Sequence, residues 1–467
     1  MSTETKASEL KEKLFYNRKN GLAESDEATV AAAFDFCEGY KEFLDTAKTE
    51  REAVSEVISV AERNGYVPFD RNAHYVAGDK VYYNNRGKAV VLSTIGSEPV
   101  ESGVKIVAAH IDSPRLDLKP NPLYEESEFA MLKTHYYGGL RKYQWTAIPL
   151  AMHGVVVRGD RSTVTVRIGE DEGDPRFVIT DLLPHLAQEQ NKRTLADGIR
   201  GEELNILIGS MPFKCDGESE AVKLNIMRLL NEKYGIVEED FLSAELELVP
   251  AFKACDIGLD RSMIGAYGHD DRVCAYPAFM AELDADKPFK TTVTVLTDKE
   301  ETGSNGNTGL HSSYVKYFIH DLAAMQGGNG ELAVANSECL SADVNAALDP
   351  TFSDVMERRN AAMLNYGAVV TKYTGARGKS GTNDASAEFV GKVRLVLNAA
   401  GVKWQTGEMG KVDAGGGGTV AMFVANLGAD VVDLGVPVLS MHAPFEVVAK
   451  YDVYMVYRAA KAFYESK

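Results

Sequence analysis

The sequence predicts an α/β fold, with a central mixed sheet flanked by helices and a β-rich segment inserted into it. Three observations carry this. Helical stripes and β-branched runs alternate near both ends of the chain. From about Pro120 to Glu247 that alternation gives way to short β-type runs between polar turns. After it, the alternation resumes. The expected division is residues 1–117 and 249–467 as one domain, with residues 118–248 as the insert.

Each element has its own signature. Residues 29–48 carry Val30, Phe34, Cys37, Tyr40 and Phe43-Leu44 on one helical stripe. Residues 49–63 form a second helix, with Val54, Val57, Ile58 and Val60 as its buried face. Strands are expected at 80–83, 89–93 and 104–109. In the insert, strand-like runs lie at 150–157, 162–168 and 176–180, with exposed loops at Asn191-Lys192-Arg193 and 198–201. Beyond it come a strand at 245–249, a helix at 272–285, strands at 291–296 and 338–340, and a helix at 309–324. Strands at 368–371 and 434–441 and a helix at 448–466 complete the pattern. The cluster Gly415-Gly416-Gly417-Gly418 marks a close approach of backbone.

Composition narrows the function. With 467 residues and 45% hydrophobic content, the chain can bury a large core and more than one domain. A formal net charge of -18 makes nucleic acid and anionic membranes poor partners. The five cysteines, Cys37, Cys215, Cys255, Cys274 and Cys339, include no Cys-x-x-Cys pair, so neither a disulfide framework nor a thiolate zinc site is expected. The polar start, without an apolar signal core, and the lack of a run of roughly 18 apolar residues point to a soluble cytoplasmic protein.

The chemistry gathers at element ends. The run Thr292-Val293-Thr294-Val295-Leu296 reads as a buried strand, and Glu300-Glu301 follow it. Open α/β sheets place ligands beyond the C-terminal ends of their strands. On extended backbone, neighbouring side chains point in opposite directions, so one glutamate can hold a metal while the other faces a water. Alone, the pair is a solvated acidic turn. The partners change that reading. His110 ends the strand at 104–109, and Asp112 projects to the same side. Asp270-Asp271 open the helix at 272–285; Asp271 suits an N-cap, while Asp270 can bridge two cations. Asp343 follows a short strand, and His442 follows a buried one. Nitrogen and oxygen donors without sulfur suit Zn²⁺, with Mn²⁺ or Co²⁺ as substitutes.

At these residues the chain resembles the M18 metallo-aminopeptidases, within the dinuclear zinc exopeptidase group. The matching motifs are Ala109-His110-Ile111-Asp112-Ser113-Pro114, Asp270-Asp271, Asp298-Lys299-Glu300-Glu301-Thr302-Gly303-Ser304, Ser341-Ala342-Asp343 and Pro437-Val438-Leu439-Ser440-Met441-His442. They run in family order over most of the chain. The resemblance implies two zinc ions per subunit, anchored by His110 and His442, bridged by Asp270 and completed by Glu301 and Asp343. It makes Glu300 the general base and Asp112 the residue orienting His110. It makes the insert a dimerisation domain, in assemblies reaching a tetrahedral dodecamer, with His185 reaching a neighbour's active site and Lys372 near the substrate. Substrates would be peptides with a free N-terminus. A dinuclear amidohydrolase or carboxypeptidase, and a catalytically silent scaffold, are the alternatives.

Departures from the aspartyl aminopeptidase pattern are Asp270-Asp271 for Asp-Asn, Gln144-Trp145-Thr146-Ala147-Ile148 for a Trp-x-Asp-Arg-Asp segment, Glu50-Arg51-Glu52 where a histidine is usual, and the glycine run at 415–418. They leave the metal set intact and point to a neutral or broad preference for the N-terminal residue.

Overall fold

The computed structural model describes residues 3–214 and 219–467. Its centre is a nine-stranded mixed sheet in the order Val67–Pro68, Lys80–Asn85, Ala89–Thr94, Thr292–Thr297, Lys105–His110, Glu338–Ser341, Asp430–Gly435, Ala368–Thr371 and Trp404–Thr406. The four strands in the middle, from Thr292–Thr297 to Asp430–Gly435, run parallel. Their side chains alternate between two cores. Val107, Ala109 and Leu296 face a core shared with the helices Glu27–Thr46, Glu50–Arg63, His269–Leu283, Ala387–Ala399 and Lys450–Glu465. Ile106, Ala108, Val293 and Val295 face the opposite core, beneath Tyr314–Met325 and Gly330–Ala335. Helices on both faces explain why these strands read as almost continuous apolar runs.

Local signals set the helix starts. Asp26 accepts the Thr29 N–H at the head of Glu27–Thr46. Thr49 and Glu52 form a reciprocal capping box on Glu50–Arg63. The glycine run behaves as its composition predicts: a Cβ on Gly415 would lie 1.9 Å from the Met409 carbonyl oxygen.

A six-stranded antiparallel sheet, within residues 115–250, has its own core around Leu116, Trp145, Leu150, Val156 and Leu248. It contains the long hairpin Arg115–Glu126 and Phe129–Tyr137, and the helix Ala221–Tyr234. The run at 176–180 forms only isolated bridges through Phe177 and Val178.

The region after 434 differs from the single strand expected there. Asp430–Gly435 belongs to the central sheet, whereas Pro437–Leu439 joins a separate five-stranded sheet. That sheet runs Cys255–Ile257, Met263–Ala266, Glu446–Ala449, Pro437–Leu439, Asn345–Ala346. Its strands are two to four residues long, too short to show periodicity. The helix expected at 309–324 begins at Tyr314, because Gly309 packs its backbone on Ser304. Val448 lies in the strand Glu446–Ala449, so the last helix starts at Lys450. Among the described residues, Cys37, Cys255, Cys274 and Cys339 are free thiols; Cys215 lies outside the described residues. No helix among the described residues is long and apolar enough to cross a membrane.

Candidate metal centre

Strand register assembles half of the site. Thr297 pairs with His110, and Ser341 with Ala108. Because these strands are parallel, His110, the Glu300-Glu301 turn and Asp343 emerge together at one sheet edge. The small sheet supplies the other half: Met263–Ala266 leads to Asp270 at the start of His269–Leu283, and Pro437–Leu439 leads to His442.

All five expected ligands converge. Asp270 Oδ1 lies 3.1 Å from His110 Nε2, and its Oδ2 lies 3.1 Å from His442 Nε2. One carboxylate therefore presents one oxygen to each imidazole. His110 Nε2 is 4.0 Å from Asp343 Oδ1 and 3.9 Å from Glu300 Oε2; His442 Nε2 is 3.7 Å from Glu301 Oε2. Two metal-sized donor groups result, His110 with Asp270 and Glu301, and His110 with Asp271 and Asp343. Asp271 also accepts the backbone N–H of His110 at 3.3 Å, which ties it to the strand end.

Asp112 organises the site. It faces His110 Nδ1 at 3.3 Å, and its two oxygens accept the backbone N–H groups of Glu300 and Glu301, each at 3.2 Å. A single buried carboxylate thus fixes one imidazole and the glutamate turn. The second imidazole donates from Nδ1 to the Gly139 carbonyl. Both rings keep Nε2 turned toward Asp270.

Glu446 was not expected from the sequence. It accepts the N–H of Asp270 at 3.1 Å and that of His442 at 2.7 Å. Burial, with the charge of Asp270, pushes its carboxyl up to about 8. Its only sequence signal is a lone acid in the apolar run Phe445-Glu446-Val447-Val448.

The electrostatics suit a cation. Burial raises Glu301 and Asp343 well above the carboxylate range; Asp270 adds to the first and Asp271 to the second. Burial, reinforced by Asp112 and Asp270, pushes Glu300 up to about 7. For Asp270 burial acts in the same direction, but hydrogen bonds to His110 and His442 outweigh it and hold the carboxyl low. Buried Glu301 Oε1 has no hydrogen-bond partner. Two imidazoles, three buried carboxylates and an orphaned buried oxygen fit a divalent metal that takes nitrogen and oxygen donors.

The remaining predicted residues lie apart. His185 is exposed on the short turn Pro184–Leu186 of the six-stranded segment. Lys372 follows the strand Ala368–Thr371 and pairs with Asp384 at 2.6 Å. Of the departing positions, Glu50 is buried and pairs with Arg115 at 3.2 Å, and Trp145 lies in the core of the six-stranded sheet.

A doubly covered mixed sheet with this cluster at its edge defines a metal-dependent hydrolase. The particular family follows from comparison with known proteins. The family model described as "Aminopeptidase I zinc metalloprotease (M18)" matches residues 43–464. A curated protein of Clostridium acetobutylicum, "Probable M18 family aminopeptidase 1", is 50% identical over 453 residues, 95% of this chain and 97% of its own length. The crystal structure of an M18 aminopeptidase from Thermotoga maritima superposes with a TM-score of 0.92 at 44% identity, covering 97% of this chain and all of that one. The S. cerevisiae mApe1 dodecamer shares the fold at a TM-score of 0.75 and 19% identity, with 94% and 97% of the two chains covered. The chain belongs to the M18 family of zinc aminopeptidases, which are hydrolases. Neither a carboxypeptidase nor a silent scaffold is favoured.

Proposed function

We propose that the chain is a two-zinc aminopeptidase. His110, Asp270 and Asp343 would hold one ion, and His442, Asp270 and Glu301 the other. The observation that carries this is the pair of 3.1 Å approaches from the two oxygens of Asp270 to two different imidazoles. Mn²⁺ or Co²⁺ could substitute, since the donors include no sulfur. Bound zinc would supply Lewis acidity, polarising the scissile carbonyl and making a water acidic enough to attack near neutral pH.

The protein's own groups do the rest. Glu300 takes the proton of the attacking water and returns it to the leaving amine. Its side chain is 17% exposed against 3% for Glu301, which supports giving the proton to Glu300 and the metal to Glu301. Asp112 holds both glutamates by their amides. His185 of a neighbouring subunit donates to the developing oxyanion. Lys372 lines the substrate side. It shares the single carboxylate of Asp384 with Lys379, at 2.6 and 2.9 Å. The departures at Asp270-Asp271, Gln144-Trp145-Thr146-Ala147-Ile148 and Glu50-Arg51-Glu52 support a neutral or broad preference for the N-terminal residue.

Residues 1–117 and 249–467 form the catalytic domain in this reading, and residues 118–248 the dimerisation domain. Leu182, Leu183 and Leu186 are 51%, 50% and 68% exposed beside His185, an apolar surface that suits a subunit contact. Dimers assembling into a tetrahedral dodecamer follow from the family reading. The free thiols Cys37, Cys255, Cys274 and Cys339 fit a reducing cytoplasm.

A panel of peptides with free and acetylated N-termini tests the activity. Cleavage confined to free amines is expected. Comparable cleavage of blocked peptides would contradict it.

A further inference from the structure

The segment Tyr137-Gly138-Gly139, at the end of the strand Phe129–Tyr137, touches both halves of the metal cluster. Tyr137 Oη donates to Asp112 Oδ2 at 2.8 Å, the oxygen that also accepts the Glu301 amide. Gly138 adopts φ +73°, and a Cβ there would lie 3.1 Å from Glu301 Oε2. The Gly139 carbonyl accepts from His442 Nδ1. Within three residues, the insert contacts the orienter of His110, the side chain of Glu301 and the ring of His442.

The segment is braced from behind. Arg115 pairs with Tyr137 across the hairpin, and its guanidinium lies 4.0 Å above the tyrosine ring. That guanidinium is fixed by Glu50 at 3.2 Å, Asp117 at 2.8 Å and Glu247 at 3.3 Å. Glu50 begins the helix Glu50–Arg63 of the central fold, while Asp117 and Glu247 lie on the six-stranded sheet. The brace therefore ties both layers to one ring.

We propose that Tyr137-Gly138-Gly139 is a clamp through which the insert sets the spacing of the two metal-holding halves, with Tyr137 a positioning residue for hydrolysis. The clamp rests on the ligand assignment above. It also gives the insert a task within its own subunit, separate from subunit contact. Groups behind metal ligands commonly change affinity or activity by about 10–100-fold when removed.

The test uses the full-length zinc-loaded protein. Tyr137→Phe removes the hydroxyl and keeps the ring over Arg115. Gly138→Ala places a methyl against Glu301. For each variant, zinc retention against a competing chelator, kcat and KM are measured, with Tm and hydrodynamic size to verify folding. The clamp predicts folded variants that lose zinc about tenfold more readily and have kcat about tenfold lower, with KM changed less. Should one variant fail to fold, the other decides. Wild-type zinc retention and kcat in a folded variant overturn the clamp. Glu301→Gln separates this from the ligand assignment. If it retains zinc as wild type does, the assignment itself fails. If it loses zinc while Tyr137→Phe and Gly138→Ala do not, only the clamp fails.

Discussion

Glu300 and Glu301 are adjacent in sequence and held by the same carboxylate, yet they meet different surroundings. Glu301 turns inward, where one oxygen has no hydrogen-bond partner; Glu300 keeps contact with solvent. A proton carrier must reach substrate, whereas a ligand must stay fixed. Glu300→Gln preserves shape and removes the base. It should retain zinc while kcat falls by about 10²–10⁴-fold, the usual worth of general acid–base catalysis. Metal analysis beside steady-state kinetics checks this, and near-wild-type turnover would remove Glu300 from the role. The residues of the cluster were legible in sequence because each stands at or near the end of a recognisable element. Glu446 and Tyr137 were not. Each acts on residues distant in the chain, and their importance lies in hydrogen bonds that spacing does not encode.

At the scale of elements, the central strands were legible because burial on both faces leaves mostly β-branched runs without exposed polar breaks, as in Thr292–Thr297. The five-stranded sheet was not, since its segments are short and come from three separate parts of the chain. The helix Ala221–Tyr234 was missed as well; it has only two buried residues, Val222 and Asn225, and so offers a weak stripe. Leu92 is buried in the strand Ala89–Thr94 and packs in the larger core. Leu92→Ala should cost about 2–5 kcal/mol, seen as a lower urea midpoint with an unchanged slope.

A buried ion cluster where the strand Leu150–Val157 meets the helix Glu50–Arg63 should make stability depend on pH. On the strand Leu150–Val157, His153 contacts Glu52 at 2.8 Å and Glu170 at 3.1 Å. Lys48 and Lys253 also face Glu170, at 2.9 and 3.4 Å, and Arg167 acts on Glu52. Burial lowers the proton affinity of His153, but its two carboxylate partners outweigh that and raise its pKa above 6.5. Burial raises Glu170, yet His153 and Lys48 prevail and lower it to about 2. The histidine's contribution to stability is thus complete below its ordinary value of 6.5 and is lost as pH rises through the higher folded value. The glutamate's contribution is complete above 4.5 and is lost as pH falls toward about 2. His153→Gln should flatten the fall in Tm as pH is raised above 6.5. Parallel Tm profiles for variant and wild type would exclude this cluster as the source.

At the scale of the whole molecule, the change of texture near Pro120 falls close to the start of the six-stranded sheet at Arg115–Glu126. The contacts that join this sheet to the central fold were not legible, because Arg115, Tyr137 and Gly139 look like ordinary residues of a hairpin. If His185 serves a neighbour's site, mixed oligomers of Glu300→Gln and His185→Ala should recover activity that neither variant has alone. No recovery in verified mixed oligomers would place His185 outside catalysis. In the two-zinc reading, Asp270 joins the metal sites. The most direct test is the metal content per chain, measured by mass spectrometry on purified wild type and Asp270→Ala. Two zinc ions per wild-type chain are expected, and the loss of both in the folded variant. A single ion in wild type, or full retention in Asp270→Ala, would contradict that reading.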